Sequence, residues 1–251
     1  MKDEANSLSP TAYSLQPLYD GISVVLPAYN EEENMDLCLK NVIECLEDLK
    51  FSRFEVILID DGSTDNTGAR ADEWLARDLR VKVIHHPSNL GYAMALKAGF
   101  GAASESLVFY MDSDNQFDVK ELSLLLEHID DNDIVMGFRI YRFDPLTRLV
   151  LSWGFNLLVR IIFRIRVKDI DCAFKLFRKE VLENINIESK QFFVDAEVLA
   201  KARYLGYLIA EIPVRHYPRP AGQSTIRPTH VPYTLWELAK MWVNIYIRGR
   251  I

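Results

Sequence analysis

The chain has 251 residues, 49% of them hydrophobic, which predicts one domain with a large core. Its three cysteines, Cys38, Cys45 and Cys172, have no metal-ligand spacing and an odd count. They read as reduced core thiols in a cytosolic setting rather than a disulfide framework. The net charge of −7 and the lack of a recognised binding motif disfavour nucleic acid as a partner, the five histidines show no ligand pattern, and no signal peptide opens the chain.

The first apolar run, Ile22-Ser23-Val24-Val25-Leu26-Pro27, reads as a strand that ends in Pro27-Ala28-Tyr29-Asn30-Glu31-Glu32. Leu37, Leu39, Val42, Ile43, Leu46 and Leu49 then recur at helical spacing. A second strand, Phe54 to Ile59, runs into Asp60-Asp61-Gly62-Ser63-Thr64-Asp65. A third, Val81 to His86, is followed by Asn89-Leu90-Gly91 and a helix through Ala93, Ala95, Leu96, Ala98 and Phe100. A fourth, Ser106 to Met111, delivers Asp112-Ser113-Asp114-Asn115-Gln116. Strands alternating with helices predict βαβ units and a mainly parallel α/β sheet. Ligands in such sheets bind beyond the carboxyl ends of the strands, so all these polar clusters fall on one rim.

Asp112 and Asp114 stand at i and i+2 of an extended segment and point to the same side. Two carboxylates so placed suit Mg²⁺ or Mn²⁺, which take oxygen ligands, keep waters and share substrate phosphates. Ordinary turn chemistry explains any one cluster, with Asn30 or Ser63 capping a helix. It does not explain acidic groups gathered on several strand ends of one rim. A Rossmann oxidoreductase is disfavoured because no G-x-G-x-x-G follows the first strand.

Pro27-Ala28-Tyr29-Asn30-Glu31, Asp60-Asp61-Gly62-Ser63-Thr64-Asp65, Asn89-Leu90-Gly91 and Asp112-Ser113-Asp114-Asn115-Gln116 occur in the order found in family 2 glycosyltransferases with the GT-A (Rossmann-like) fold. Over roughly residues 20 to 230 the chain resembles the polyprenyl-phosphate (dolichyl-phosphate) mannosyl and glucosyl transferases. The resemblance implies inverting, metal-dependent transfer from a nucleotide-diphosphate sugar, of GDP-mannose or UDP-glucose type, to a polyprenyl phosphate. Pro27, Tyr29 and Glu31 resemble the nucleoside-holding loop, with Tyr29 against the base, and Asp61 resembles the carboxylate reading a base N–H. Asp112 and Asp114 look like metal ligands, Asp112 also meeting the nucleotide sugar, and Gln116 matches a third ligand position. Arg139, Arg148 and Arg219 resemble arginines that meet the acceptor phosphate, Arg219 in an R-x-x-G-x-S loop. Several relatives follow that serine with lysine; Thr225 stands there in this chain, with Arg227 as the nearest replacement.

The second half of the chain bears on the acceptor. Through Asp144 there are 12 Lys/Arg against 27 Asp/Glu, and from Pro145 onward 17 against 9. That asymmetry suits an anionic lipid phosphate or membrane surface. Leu146 to Val167 is apolar enough to span a bilayer but for Arg148, Arg160, Arg164 and Arg166, each costing about 2.5–3.5 kcal/mol at the bilayer centre. It reads as an interfacial amphipathic helix with Arg160 and Arg164 on one face, or alternatively as a core helix with solvated arginines. Asp195 and Glu197 are the candidate bases, Glu197 resembling an acid kept in the lipid-phosphate branch, though both also suit a helix first turn. Asp171 lies in a further matching segment.

Residues 1–19 read as a flexible leader, 20–230 as the catalytic domain and 231–251 as an amphipathic helix that is interfacial or covers the sheet. The expected setting is the cytoplasmic face of a membrane, with a membrane-anchoring partner protein as an option. The rival readings are a family 2 enzyme acting on a saccharide hydroxyl and a nucleotide-sugar-binding module without turnover.

Overall fold

The computed structural model describes residues 19–140, 146–189, 193–218 and 231–251, those at 146–148 and 231–234 by backbone alone. The leader up to residue 18 lies outside the described residues. Strands β1 (Gly21–Ala28), β2 (Arg53–Asp60), β3 (Val81–His85) and β4 (Leu107–Met111) alternate with α1 (Met35–Asp48), α2 (Thr67–Arg77) and α3 (Tyr92–Ala102). There follow α4 (Leu122–Leu126), β5 (Ile134–Arg139), α5 (Leu146–Phe163), β6 (Phe174–Arg178), α6 (Lys179–Glu183), α7 (Val194–Leu205), β7 (Ile209–Val214) and α8 (Val231–Trp242).

The strands form one sheet in the order β3-β2-β1-β4-β6-β5-β7. β1 pairs in parallel with β2 and β4, β2 with β3, and β5 with β7, while β6 runs antiparallel between β4 and β5. Every residue of β1 is buried, as a central parallel strand covered on both faces requires. The expected mainly parallel α/β sheet is thus present, and the carboxyl ends of β1, β2 and β4 open on one rim.

α1 buries Met35, Cys38, Leu39, Val42, Ile43, Cys45 and Leu46. Leu37, counted with the apolar stripe in the sequence, faces outward because Cys38 takes the inward position at that turn. All three cysteines are free and buried, and burial pushes the Cys38 and Cys45 thiols up to about 12 and about 11. α3 lies close on β1 and β2 at Gly99, where an added Cβ would come within 2.3 Å of Val25 Cγ1.

The helix expected over 146–167 ends at Phe163. Arg164 adopts a left-handed φ of 55°, so it does not share a helical face with Arg160. Beyond the helix, Phe163, Ile165 and Val167 point inward while Arg164 and Arg166 point out, a strand-like alternation. α5 touches α7 and α8. α8 continues into a π-helical turn, Val243–Ile247, and this C-terminal segment buries Leu238, Met241 and Ile245 while exposing Leu235, Trp236, Trp242 and Ile247. It therefore covers the body of the protein and keeps an outward apolar face. Among the described residues no helix is long and apolar enough to cross a membrane.

Candidate active site

The loops after β1 and β2 are laced together. Asn30 adopts a φ of 55°, a conformation asparagine tolerates, and its Oδ1 accepts the Thr64 N–H at 2.8 Å. The Asn30 N–H donates to Ser63 Oγ at 3.0 Å, and the Glu31 N–H to Thr67 Oγ1 at 2.8 Å. Gly62 holds a φ of 69° with no room for a side chain, since a Cβ would sit 2.2 Å from the Ser88 carbonyl carbon. This lacing leaves Tyr29 on the rim, 40% exposed, while Glu31 is buried and accepts from Asn34 Nδ2 at 2.7 Å. Pro27 is the last residue but one of β1, its carbonyl accepting Ser113 Oγ–H at 2.9 Å.

Asp60 ends β2, Asp61 follows it, and the two play different parts. Asp60 accepts the Ser63 N–H and pairs with His85 Nδ1, both at 2.9 Å. Burial raises its carboxyl, but these bonds win and hold it below the usual range. Asp61, also buried, takes the Leu90 and Gly91 N–H groups on its two oxygens, each at 2.9 Å, and meets His86 Nδ1 at 2.6 Å. The family resemblance gives Asp61 a nucleoside base to read; the structure shows it anchoring a turn. Each carboxylate oxygen has two lone pairs, so a further donor can still be met.

Asp112 and Asp114 follow β4. Asp112 is half-buried and accepts the Tyr92 hydroxyl at 3.0 Å. Burial and neighbouring Asp114 push its carboxyl up to about 7, against the pull of the Tyr92 bond. Asp114 is buried and accepts the Gln116 N–H at 3.1 Å. Asn115, with a φ of 58°, ties this loop to α1 through Asn34 O at 3.0 Å. Gln116 donates its amide to Tyr217 O at 2.9 Å, leaving Oε1 as an acceptor. Among the described residues no three His, Cys, Asp or Glu side chains cluster in metal-binding geometry. Two crowded carboxylates and an amide oxygen fit a hard divalent ion completed by water and phosphate.

The acceptor-side candidates are met by counter-charges. Arg139, at the end of β5, forms a bidentate pair with Asp169 through Nε at 2.6 Å and Nη2 at 2.7 Å. Asp195 and Glu197 do lie in the first turn of α7, but both are buried. Asp195 Oδ1 receives Lys175 Nζ at 2.7 Å and the Tyr110 hydroxyl, and Lys175 also donates to Tyr110 Oη at 2.9 Å. Glu197 pairs with Lys201 at 2.9 Å and accepts the Glu188 and Ser189 N–H groups at 2.9 and 2.8 Å. Asp171 is pushed up to about 7 by burial and by Asp169 and Asp195. The Arg148 side chain and Arg219, Thr225 and Arg227 lie outside the described residues.

The rim thus brings Tyr29, Glu31, Asp61, Asp112, Asp114 and Gln116 onto adjoining loops, braced to one another. Sequence reasoning missed Tyr92, Tyr110, Asp169, Lys175 and Lys201. Lys175 carried a signal, as a lone cation inside the apolar strand run Phe174-Lys175-Leu176-Phe177 that needs a buried counter-charge.

The chain is similar to known proteins in sequence and in fold. The description "Glycosyl transferase family 2" matches residues 23–185. The chain is 35% identical to the glycosyltransferase AglD of Haloferax volcanii over 92% of its own length. It is 32% identical to the polyprenol monophosphomannose synthase of Mycolicibacterium smegmatis over 91%, and 28% to the undecaprenyl-phosphate mannosyltransferase of Micrococcus luteus over 90%. It spans 38% of the length of AglD but 88% and 98% of the other two. Glucosyl-3-phosphoglycerate synthase of Mycobacterium tuberculosis, crystallised with Mn²⁺, uridine-diphosphate-glucose and phosphoglyceric acid, shares the fold. Its TM-score is 0.67 at 20% identity, over 90% of this chain and 79% of that one. Because the matched span runs from β1 through α6 and includes the acidic rim, the chain is a glycosyltransferase and belongs to glycosyl transferase family 2.

Proposed function

We propose that this glycosyltransferase moves a sugar from a nucleotide-diphosphate donor to a polyprenyl phosphate with inversion, using Mg²⁺ or Mn²⁺. The observation that carries the reading is the pair Asp112 and Asp114 on the rim shared with Tyr29 and Asp61. A divalent ion held by Asp112, Asp114 and Gln116 supplies charge neutralisation for a departing nucleoside diphosphate. Tyr29 offers an exposed ring for a base, and Asp61 holds the neighbouring turn. The named relatives from Mycolicibacterium smegmatis and Micrococcus luteus support a lipid-phosphate acceptor.

A phosphate acceptor is already an anionic nucleophile and needs no strong base. Asp195 and Glu197 accord with that, because each is occupied by a buried lysine. A hydroxyl acceptor requires a carboxylate free to take its proton. Arg139, Arg148 and Arg219 are the proposed phosphate contacts, guanidinium forks suiting phosphate oxygens. For Arg139 this means sharing its remaining N–H groups beyond the Asp169 pair.

The lipid would be met at a peripheral membrane surface. α5 exposes Val150, Trp153, Leu157 and Ile161, and α8, which it touches, exposes Leu235 and Trp236, with Arg160, Arg164 and Arg166 solvent-facing. Apolar burial plus roughly 1 kcal/mol per basic residue near anionic lipid supports reversible docking at a cytoplasmic face.

The test is incubation of the purified protein with labelled nucleotide sugars, Mg²⁺ or Mn²⁺ and short polyprenyl phosphates. Labelled lipid-phosphate sugar is expected; transfer to a saccharide hydroxyl alone would overturn the acceptor assignment.

A further inference from the structure

The Asn89-Leu90-Gly91 turn meets no substrate in that reading, yet it connects two acids of the rim, Asp61 and Asp112. Asp61 grips it from β2 through the Leu90 and Gly91 N–H groups, at 2.9 Å on separate oxygens. Gly91, with a φ of 94°, turns the chain into α3. The next residue is Tyr92, the first of that helix, and its hydroxyl donates to Asp112 Oδ1 at 3.0 Å. β2 and β4 are not neighbours; β1 lies between them. The turn therefore links, across the central strand, the two loops that carry Asp61 and Asp112.

We propose that Tyr92 is a positioning residue for the cation site. The turn anchored by Asp61 sets the Tyr92 hydroxyl, which holds one oxygen of Asp112 and leaves the other for a divalent ion. This rests on the metal reading given above. Groups that hydrogen-bond a metal-ligating side chain fix its orientation, and losing one weakens metal affinity or activity roughly 10–100-fold. Ring packing is the competing role, since Tyr92 is half-buried against the core. Tyr92→Phe separates the two, because it keeps the ring and removes only the donor.

The experiment is Mn²⁺ binding to the full chain, read from the electron paramagnetic resonance signal of the free ion. Thermal midpoints without metal and turnover across Mn²⁺ concentration accompany it. Tyr92→Phe should bind Mn²⁺ about tenfold more weakly, keep its metal-free midpoint, and regain most of its turnover at saturating Mn²⁺. Asp61→Asn has only one acceptor oxygen for two turn N–H groups, and should shift Mn²⁺ binding in the same direction with Tyr92 intact. Wild-type Mn²⁺ affinity in a folded Tyr92→Phe protein would overturn the proposal. If that variant fails to fold, wild-type affinity in Asp61→Asn would do so. A parent protein that binds no Mn²⁺ would remove the metal reading itself, whereas a binding parent with an indifferent Tyr92→Phe removes only the positioning role.

Discussion

The two sides of the cleft handle their acids in opposite ways. On the donor side, around β1, β2 and β4, carboxylates are met by N–H and O–H donors: Asp61 by the 90–91 turn, Asp112 by Tyr92, Asp114 by the Gln116 N–H. Such donors orient a carboxylate, and Asp112 and Asp114 crowd each other's charge. On the proposed acceptor side three buried acids each face a cation: Asp169 with Arg139, Asp195 with Lys175, Glu197 with Lys201. The same residue types build the proposed cation site in one place and a neutralised scaffold in the other.

The largest effect should come from unbalancing the neutralised side. Lys175→Met leaves Asp195 charged and buried without its ammonium, and should cost roughly 3–5 kcal/mol in urea unfolding. Adding Asp195→Asn to that variant should recover most of the loss. If the single variant unfolds like the parent protein, the pair is not the scaffold described. On the donor side Asp114→Ala should leave the unfolding midpoint nearly unchanged and lower metal-dependent transfer about 10²–10³-fold. A variant that loses fold and activity together would erase the contrast between the two sides.

Exposed aromatics give a smaller effect. Trp153 is 68% exposed and Trp236 is 58% exposed. Replacing both with serine should weaken sedimentation with anionic vesicles by about tenfold or more, as burial of a large apolar side chain is worth about 1.5–3 kcal/mol. Turnover on a detergent-dispersed short-chain acceptor should persist. Equal vesicle binding would show that these faces do not meet lipid.

The smallest effect concerns the Asp60–His85 pair on the donor side. The Asp60 and Asp72 hydrogen bonds raise the His85 pKa above its usual value. Its contribution is therefore fully present below about pH 6.5 and fades as pH climbs through the higher folded value. The Asp60 pKa is lowered, so its share is present above the usual carboxylate range and lost as pH falls through the folded value. His85→Ala should cost a few tenths of a kcal/mol between those limits, discounted for exposure of the ring, and nothing at higher pH. A loss undiminished at pH 9 would contradict this assignment.

Much of the donor side was legible because it is local. Continuous apolar strand runs, turn residues and the i, i+2 spacing of Asp112 and Asp114 write the rim into short segments. The acceptor side was harder to read because its partners are distant in sequence. Lys175 and Asp195 are 20 residues apart and Arg139 and Asp169 30; the Tyr92–Asp112 contact on the donor side, also 20 residues apart, was missed for the same reason. Periodicity also overran the end of α5, since an apolar run with arginines every few residues reads alike as helix or strand. The alternation from Phe163 to Val167 emerges only once the chain leaves the helix at Arg164.

The most direct measurement compares labelled transfer onto a short polyprenyl phosphate with transfer onto the matching free polyprenol, each with Mn²⁺ and with chelator. Product should form on the phosphate alone and vanish when the ion is removed. Glycosylation of the free alcohol at a similar rate, or transfer indifferent to chelator, would contradict a cation-assisted reaction with an anionic acceptor.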